Sequence, residues 1–348
     1  MKSILLFQMQ TSLNKEINSV DKPGLSESAI PKKAEDRFFL IRAVYQLCFF
    51  NSYLDQYKSA LKNIYLPFAY LEKVKRKGEN YTLKVIFWDD VPILLLAFSW
   101  LATNSVLHGI SIIFLLISFW SVYELGYYEN DCVAEKYESK PKLSLSYYAH
   151  KQMMKTGYPW LWSLVFGLIG IILLEQTQVS YLPFLSLSIE QKINFISPII
   201  LTFLSWITFL VCVRCCFLVY NYVNKQTRTW LYIVLQSFRY YGFLWVTTTN
   251  LIGISLLSSH ILSRSLLYIV YRYSGGNSNN WPREIPEKFL RCFIFIFTSI
   301  SICFGSQSLE IWQSWQTWII VAWCVIQGQG QIKRILPQVK LVTEDGSN

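Results

Sequence analysis

Four acidic residues recur at helical spacing within the stretch Ser118 to Ser144: Glu124, Asp131, Glu135 and Glu138. On a helix those positions fall on or near one face. With Asn130 beside them, the carboxylates would make a hard-oxygen site suited to Mg²⁺, which takes acidic ligands, substrate phosphates and several waters. The bland alternative is a solvated helix end neutralised by Lys136, Lys140 and Lys142. A second stretch, VYNYVNKQTRTWLYIVLQ, carries Lys225 and Arg228. Cations there could hold phosphate oxygens and balance a leaving group's charge, or they could simply anchor a helix end.

Other reactive side chains are scattered. His108, His150 and His260 are isolated in sequence, and only His150 lies near the acidic stretch. Cys212, Cys215 and Cys216 lack a second ligand pair at zinc spacing and read as helix packing. No Gly-rich phosphate loop, HExxH pattern or Ser/His/Asp set appears, which argues against the chemistry of common soluble enzymes.

The elements that must position these residues are membrane helices. Of 348 residues 53% are apolar and 16% charged, against roughly 25% charged in soluble domains. Apolar runs of near-bilayer length lie at about 85–102, 107–127, 160–174, 196–220, 290–304 and 312–327, and 240–271 is long enough for a tight helical hairpin. The expected fold is an all-α, multi-pass transmembrane bundle of about eight crossings. Most of the 32 Lys and Arg residues then fall before the first crossing or in the 128–157, 221–239, 272–291 and 329–348 loops. The positive-inside rule places those loops and both termini in the cytoplasm. The net charge of +10 is thereby topological. It suits anionic membrane lipids or phosphorylated substrates and needs no nucleic acid.

Residues 1–36 read as a flexible cytoplasmic tail, 37–84 as an interfacial amphipathic helical segment, 85–330 as the transmembrane domain and 331–348 as a cytoplasmic tail. The first crossing is expected to begin near the acidic pair Asp89 and Asp90. Trp88, Trp100, Trp120, Trp160, Trp162 and Trp230 are expected in the interfacial aromatic belt.

Asn130-Asp131, Ala134 and Glu138, followed by Lys140-Pro141, resemble the first acidic motif of the UbiA-type intramembrane prenyltransferases, N-D-x-x-D-x-x-x-D before a basic residue and proline. Tyr220, Lys225 and Thr227 resemble a second segment of that family, with Lys225 in an arginine's place and Asn221 and Asn224 departing from it. The resemblance implies Mg²⁺ held by Asp131, Glu135 and Glu138 with Asn130 at a cytoplasmic mouth. It implies Lys225 and Arg228 assisting ionisation of an isoprenyl diphosphate, and transfer of the prenyl group to a lipophilic acceptor. A second Asp-rich motif is expected after the sixth helix, where YRYSGGNSNNWPREIPEKF offers only Glu284 and Glu287. The runner-up is therefore a non-catalytic lipid-binding or assembly protein.

Overall fold

The computed structural model describes residues 66–139, 141, 143–151, 155–177, 198–273 and 286–338. All belong to the unit Ala60–Asn348, the larger of the two into which the chain divides. Residues 1–65, which hold the expected tail and most of the expected interfacial segment, lie outside the described residues, as do 274–285 and 339–348. No strand occurs among the described residues, and the architecture is the expected all-α bundle.

A π-helical turn at Leu71–Lys75 leads to a second π-helical stretch, Thr82–Asp90, which runs without a break into α1 (Val91–Phe98) and a 3₁₀ turn, Ser99–Leu101. There follow α2 (Ser105–Tyr137), the short α3 (Leu145–His150), α4 (Gly157–Glu175), α5 (Pro198–Tyr222), α6 (Lys225–Tyr241), α7 (Leu251–Tyr273), α8 (Glu287–Ser306), the one-turn α9 (Glu310–Gln313) and α10 (Trp315–Ile335). Five helices, α2, α4, α5, α7 and α8, are long and apolar enough to cross a membrane. The chain is a multi-pass membrane protein. Three more rods of similar length, 82–101, 225–245 and 315–335, complete the bundle.

The acidic pair Asp89 and Asp90, near which the first crossing is expected to begin, lies inside a continuous rod, 82–101. The rod survives Pro92 because the ring removes only one N–H and the preceding wide π turns relieve its clash with the carbonyl four residues back. That carbonyl, Trp88 O, accepts from Gln327 Nε2 at 3.3 Å instead. The hairpin expected within 240–271 is displaced: its turn lies at 246–250 and its first arm is α6. The 221–239 loop is therefore mostly helix. Hydropathy misses α6 because the helix is amphipathic, with Arg228, Thr229, Gln236 and Arg239 all buried.

The helix α2 occupies the centre, against α1, α4 and α5. Small residues let backbones approach there: a Cβ on Gly126 would enter the Phe217 ring, and one on Gly167 would lie 3.0 Å from Ser118 Oγ. The freed space is used for hydrogen bonds, Ser118 Oγ to Ser163 O at 2.7 Å and Ser111 Oγ to Gly170 O at 2.8 Å. Trp120, expected in the interfacial belt, is instead fully buried at the core with Phe119, Trp206, Phe209 and Phe243, whereas Trp88 and Trp230 are exposed.

Candidate functional site

The acids expected to form one metal face are held apart. Glu124 Oε2 accepts from Phe68 N at 2.8 Å and Glu124 Oε1 from Leu71 N at 2.9 Å, so this carboxylate caps the helical turn before the first rod. Phe68 has φ +67°, an unfavourable region for a bulky side chain, and the carboxylate bond helps hold it. Asp131 pairs through Oδ1 with Lys75 Nζ and through Oδ2 with Tyr70 OH at 2.7 Å. Glu135 pairs with Lys151 Nζ and accepts from Tyr147 OH at 2.9 Å. Glu138 meets Arg228 Nη1 at 3.3 Å. Glu129, not singled out in the sequence, accepts from Arg214 Nη2 at 3.3 Å and Asn221 Nδ2 at 3.1 Å. Asn130 is half-buried between these positions.

Burial, then the neighbouring Asp131, pushes the Tyr70 phenol well above the ordinary tyrosine range. Burial, then hydrogen bonds to Cys132 and Glu135, does the same for Tyr147. Both therefore remain O–H donors through neutral pH. Asp131 and Glu135 each spend both oxygens on a cation and a phenol of the chain, and each faces a different cation. Asp131, Glu135 and Glu138 in this arrangement do not fit a common Mg²⁺ site.

The cationic segment is partly as expected. Lys225 opens α6, and Asn224 caps that helix by accepting from Thr227 N at 2.8 Å. Arg228 is buried, donating to Val223 O at 3.0 Å and Asn221 O at 2.7 Å as well as to Glu138. Tyr220 OH lies 3.0 Å from Tyr268 OH, which accepts from Arg272 Nε at 2.8 Å. The ends of α2, α5, α6 and α7 thus meet. Of the two acids in the expected second segment, Glu287 opens α8 and Glu284 lies outside the described residues.

A second set of charges was not anticipated. Asp90, fully buried, receives Arg239 Nε at 3.1 Å, Arg239 Nη2, and Tyr240 OH at 2.8 Å. Asp89 receives Arg264 Nη2 at 2.9 Å and Arg291 Nη1 at 2.7 Å, and Arg264 Nε also reaches Glu287 at 3.0 Å. His260, isolated in sequence, joins the two halves: Nδ1 is 3.0 Å from Arg291 Nη1 and Nε2 is 2.7 Å from Tyr240 OH. The donor inventory orients this chain. Arginine can only donate, so Nδ1 accepts, the neutral ring carries its proton on Nε2, and the tyrosine hydroxyl passes its own proton bond to Asp90. Three arginines balance Asp89, Asp90 and Glu287.

Asp89, His260 and Glu287 are the one set of ligating side chains among the described residues whose donor atoms lie within 4.8 Å of one another. Arg264 bridges Asp89 to Glu287, and Arg291 bridges Asp89 to His260. A dication there would face two guanidinium charges, so this set too serves ion pairing. The sequence signal that points to it is ionisable residues inside apolar runs, which are rare and paired in membrane helices. His108 is bound by Ser99 and Thr247 at 3.1 Å each, and His150 Nδ1 by Ser146 O at 2.7 Å. No family model, no curated protein and no solved structure matches the chain.

Proposed function

We propose that this chain is a lipid-binding membrane protein that does not catalyse prenyl transfer. The observation that carries the reading is the self-satisfaction of the α2 acids: Asp131 and Glu135 are each occupied by a lysine and a tyrosine of the same chain. A metal-bridged diphosphate would have to dismantle both sets. The distribution of Lys and Arg supports a cytoplasmic location for both termini and for the 128–157 segment. A cysteine at Ser146 that reacts with an impermeant reagent from the outer side of intact cells would overturn that orientation.

The test of function is titration of a non-hydrolysable isoprenyl diphosphate into detergent-purified protein, with and without Mg²⁺. The expected outcome is no metal-dependent binding and no effect of Asp131→Asn on what binding remains. Metal-dependent binding that Asp131→Asn removes would sink the proposal.

That outcome would favour the second reading, a prenyltransferase acting on an isoprenyl diphosphate and a lipophilic acceptor. Its support is the Arg228–Glu138 pair, which joins the two segments that resemble that family. Product formation would then separate an enzyme from a binding remnant.

A further inference from the structure

Among the described residues every buried or half-buried arginine except one meets a carboxylate. Arg214 pairs with Glu129, Arg228 with Glu138, Arg239 with Asp90, Arg264 with Asp89 and Glu287, and Arg291 with Asp89. The exception is the half-buried Arg272, the next-to-last residue of α7. Its Nε donates to Tyr268 OH at 2.8 Å. Neither terminal nitrogen finds a partner among the described residues, and neither is enclosed by the protein.

An arginine that only anchored a helix end would trail freely into water. Arg272 is held instead. Its guanidinium carbon lies 5.1 Å from the centre of the Tyr268 ring, whose hydroxyl is 3.0 Å from Tyr220 OH. The Tyr232 ring stacks on Tyr268 with centres 3.9 Å apart and planes 22° apart. Tyr220, Tyr232 and Tyr268 belong to α5, α6 and α7, so three helices brace one side chain. The fork of two Nη groups is therefore oriented before any ligand arrives, and the entropy of ordering it is already lost on folding.

Two parallel N–H donors on a planar cation match two oxygens of a phosphate. The depth of the site points to where that phosphate comes from. The helix α7 is long and apolar enough to cross a membrane, and Arg272 lies between Tyr271 and Tyr273, both exposed. Exposed tyrosines at the end of a span mark the headgroup level. Leu262 and Leu266, also exposed, lie about 15 and about 9 Å deeper along the same helix and offer apolar surface to an acyl chain. With no carboxylate beside it, the guanidinium favours a headgroup of net negative charge over a zwitterionic one.

We propose that Arg272, braced by Tyr268, binds the phosphodiester of an anionic phospholipid, with no metal ion between them. The proposal rests on the lipid-binding reading and deepens it by supplying a headgroup site. It involves none of the α2 acids.

The test is native mass spectrometry of the full chain released from detergent micelles, with dioleoyl phosphatidylglycerol or dioleoyl phosphatidylcholine titrated in. One phosphatidylglycerol should bind about tenfold more tightly than phosphatidylcholine, and Arg272→Gln should remove about that factor. Arg272→Lys, which keeps the charge and loses the fork, should retain only part of the preference. Tyr268→Phe should weaken binding by less than Arg272→Gln, since the guanidinium remains but is no longer held. Lys333→Gln removes the same unit of charge from the exposed end of α10 and should change nothing. Inorganic phosphate at millimolar concentration should not displace the lipid. Displacement by phosphate would make this a site for a soluble anion and overturn the proposal. So would an Arg272→Gln protein that binds as the parent does, or a loss in Lys333→Gln equal to that in Arg272→Gln. Those results leave the lipid-binding reading standing, whereas no saturable binding of either lipid would remove both.

Discussion

At the end of α2, Glu135 and Lys151 pair with about a third of each side chain exposed, 31% and 34%. In the interior, Asp90 and Arg239 pair at 0% and 2%. Both regions bring opposite charges together across long stretches of chain, but the physics of the two differs. The Glu135–Lys151 pair sits in a high-dielectric, salt-screened setting where an ion pair gains little. The inner ones have lost their hydration and depend on one another and on Tyr240 and His260 to replace it. The outer region can exchange partners at small cost, while the inner one fixes how the first rod, α6, α7 and α8 sit together.

The largest effect expected from this contrast follows loss of one inner partner. Asp90→Ala leaves Arg239 buried and uncompensated and should destabilise the protein by about 3–5 kcal/mol, read as a lowered thermal midpoint in detergent. Combining Asp90→Leu with Arg239→Met should recover most of that loss, because removing both charges also removes the desolvation cost. A single variant as stable as the parent would erase the distinction between the regions.

Next in size is Glu124→Gln. The amide keeps one acceptor oxygen where the carboxylate used two, so Phe68 N–H or Leu71 N–H loses its partner, at about 1–3 kcal/mol. Faster hydrogen exchange at Leu71 and earlier proteolysis of the preceding segment would register it. Exchange rates equal to the parent's would show that the cap does not hold the turn.

Asp131→Asn should cost about 1 kcal/mol, since Lys75 can turn to solvent while the amide oxygen still accepts from Tyr70. A loss matching that of Asp90→Ala would place Asp131 with the inner class. The smallest effect is that of Glu135→Gln, whose shift in midpoint should disappear when salt is raised from about 0.1 M to about 1 M, where the screening length falls to ~3 Å. The Asp90→Ala shift should survive the same change. Equal salt sensitivity in both would break the comparison.

Much of this architecture was legible in the residues alone. The five apolar spans follow from patterns of near neighbours along the chain. The first rod and α6 were harder to place. Asp89 and Asp90 look like a helix boundary until Arg239, Arg264 and Arg291 are seen to neutralise them. In the same way, α6 looks like a cytoplasmic loop until its polar face is seen to be buried.

Local sequence thus determined that this is a helical membrane protein, because backbone hydrogen bonding in lipid demands long apolar helices and those are visible in any window of about 20 residues. Which acid meets which cation was decided only by the tertiary structure. Asp90 and Arg239 are 149 residues apart, and Asp89 and Arg291 are 202 apart. Their pairing depends on which helix faces turn inward, and whether a carboxylate there binds an arginine or a metal depends on what else is buried beside it.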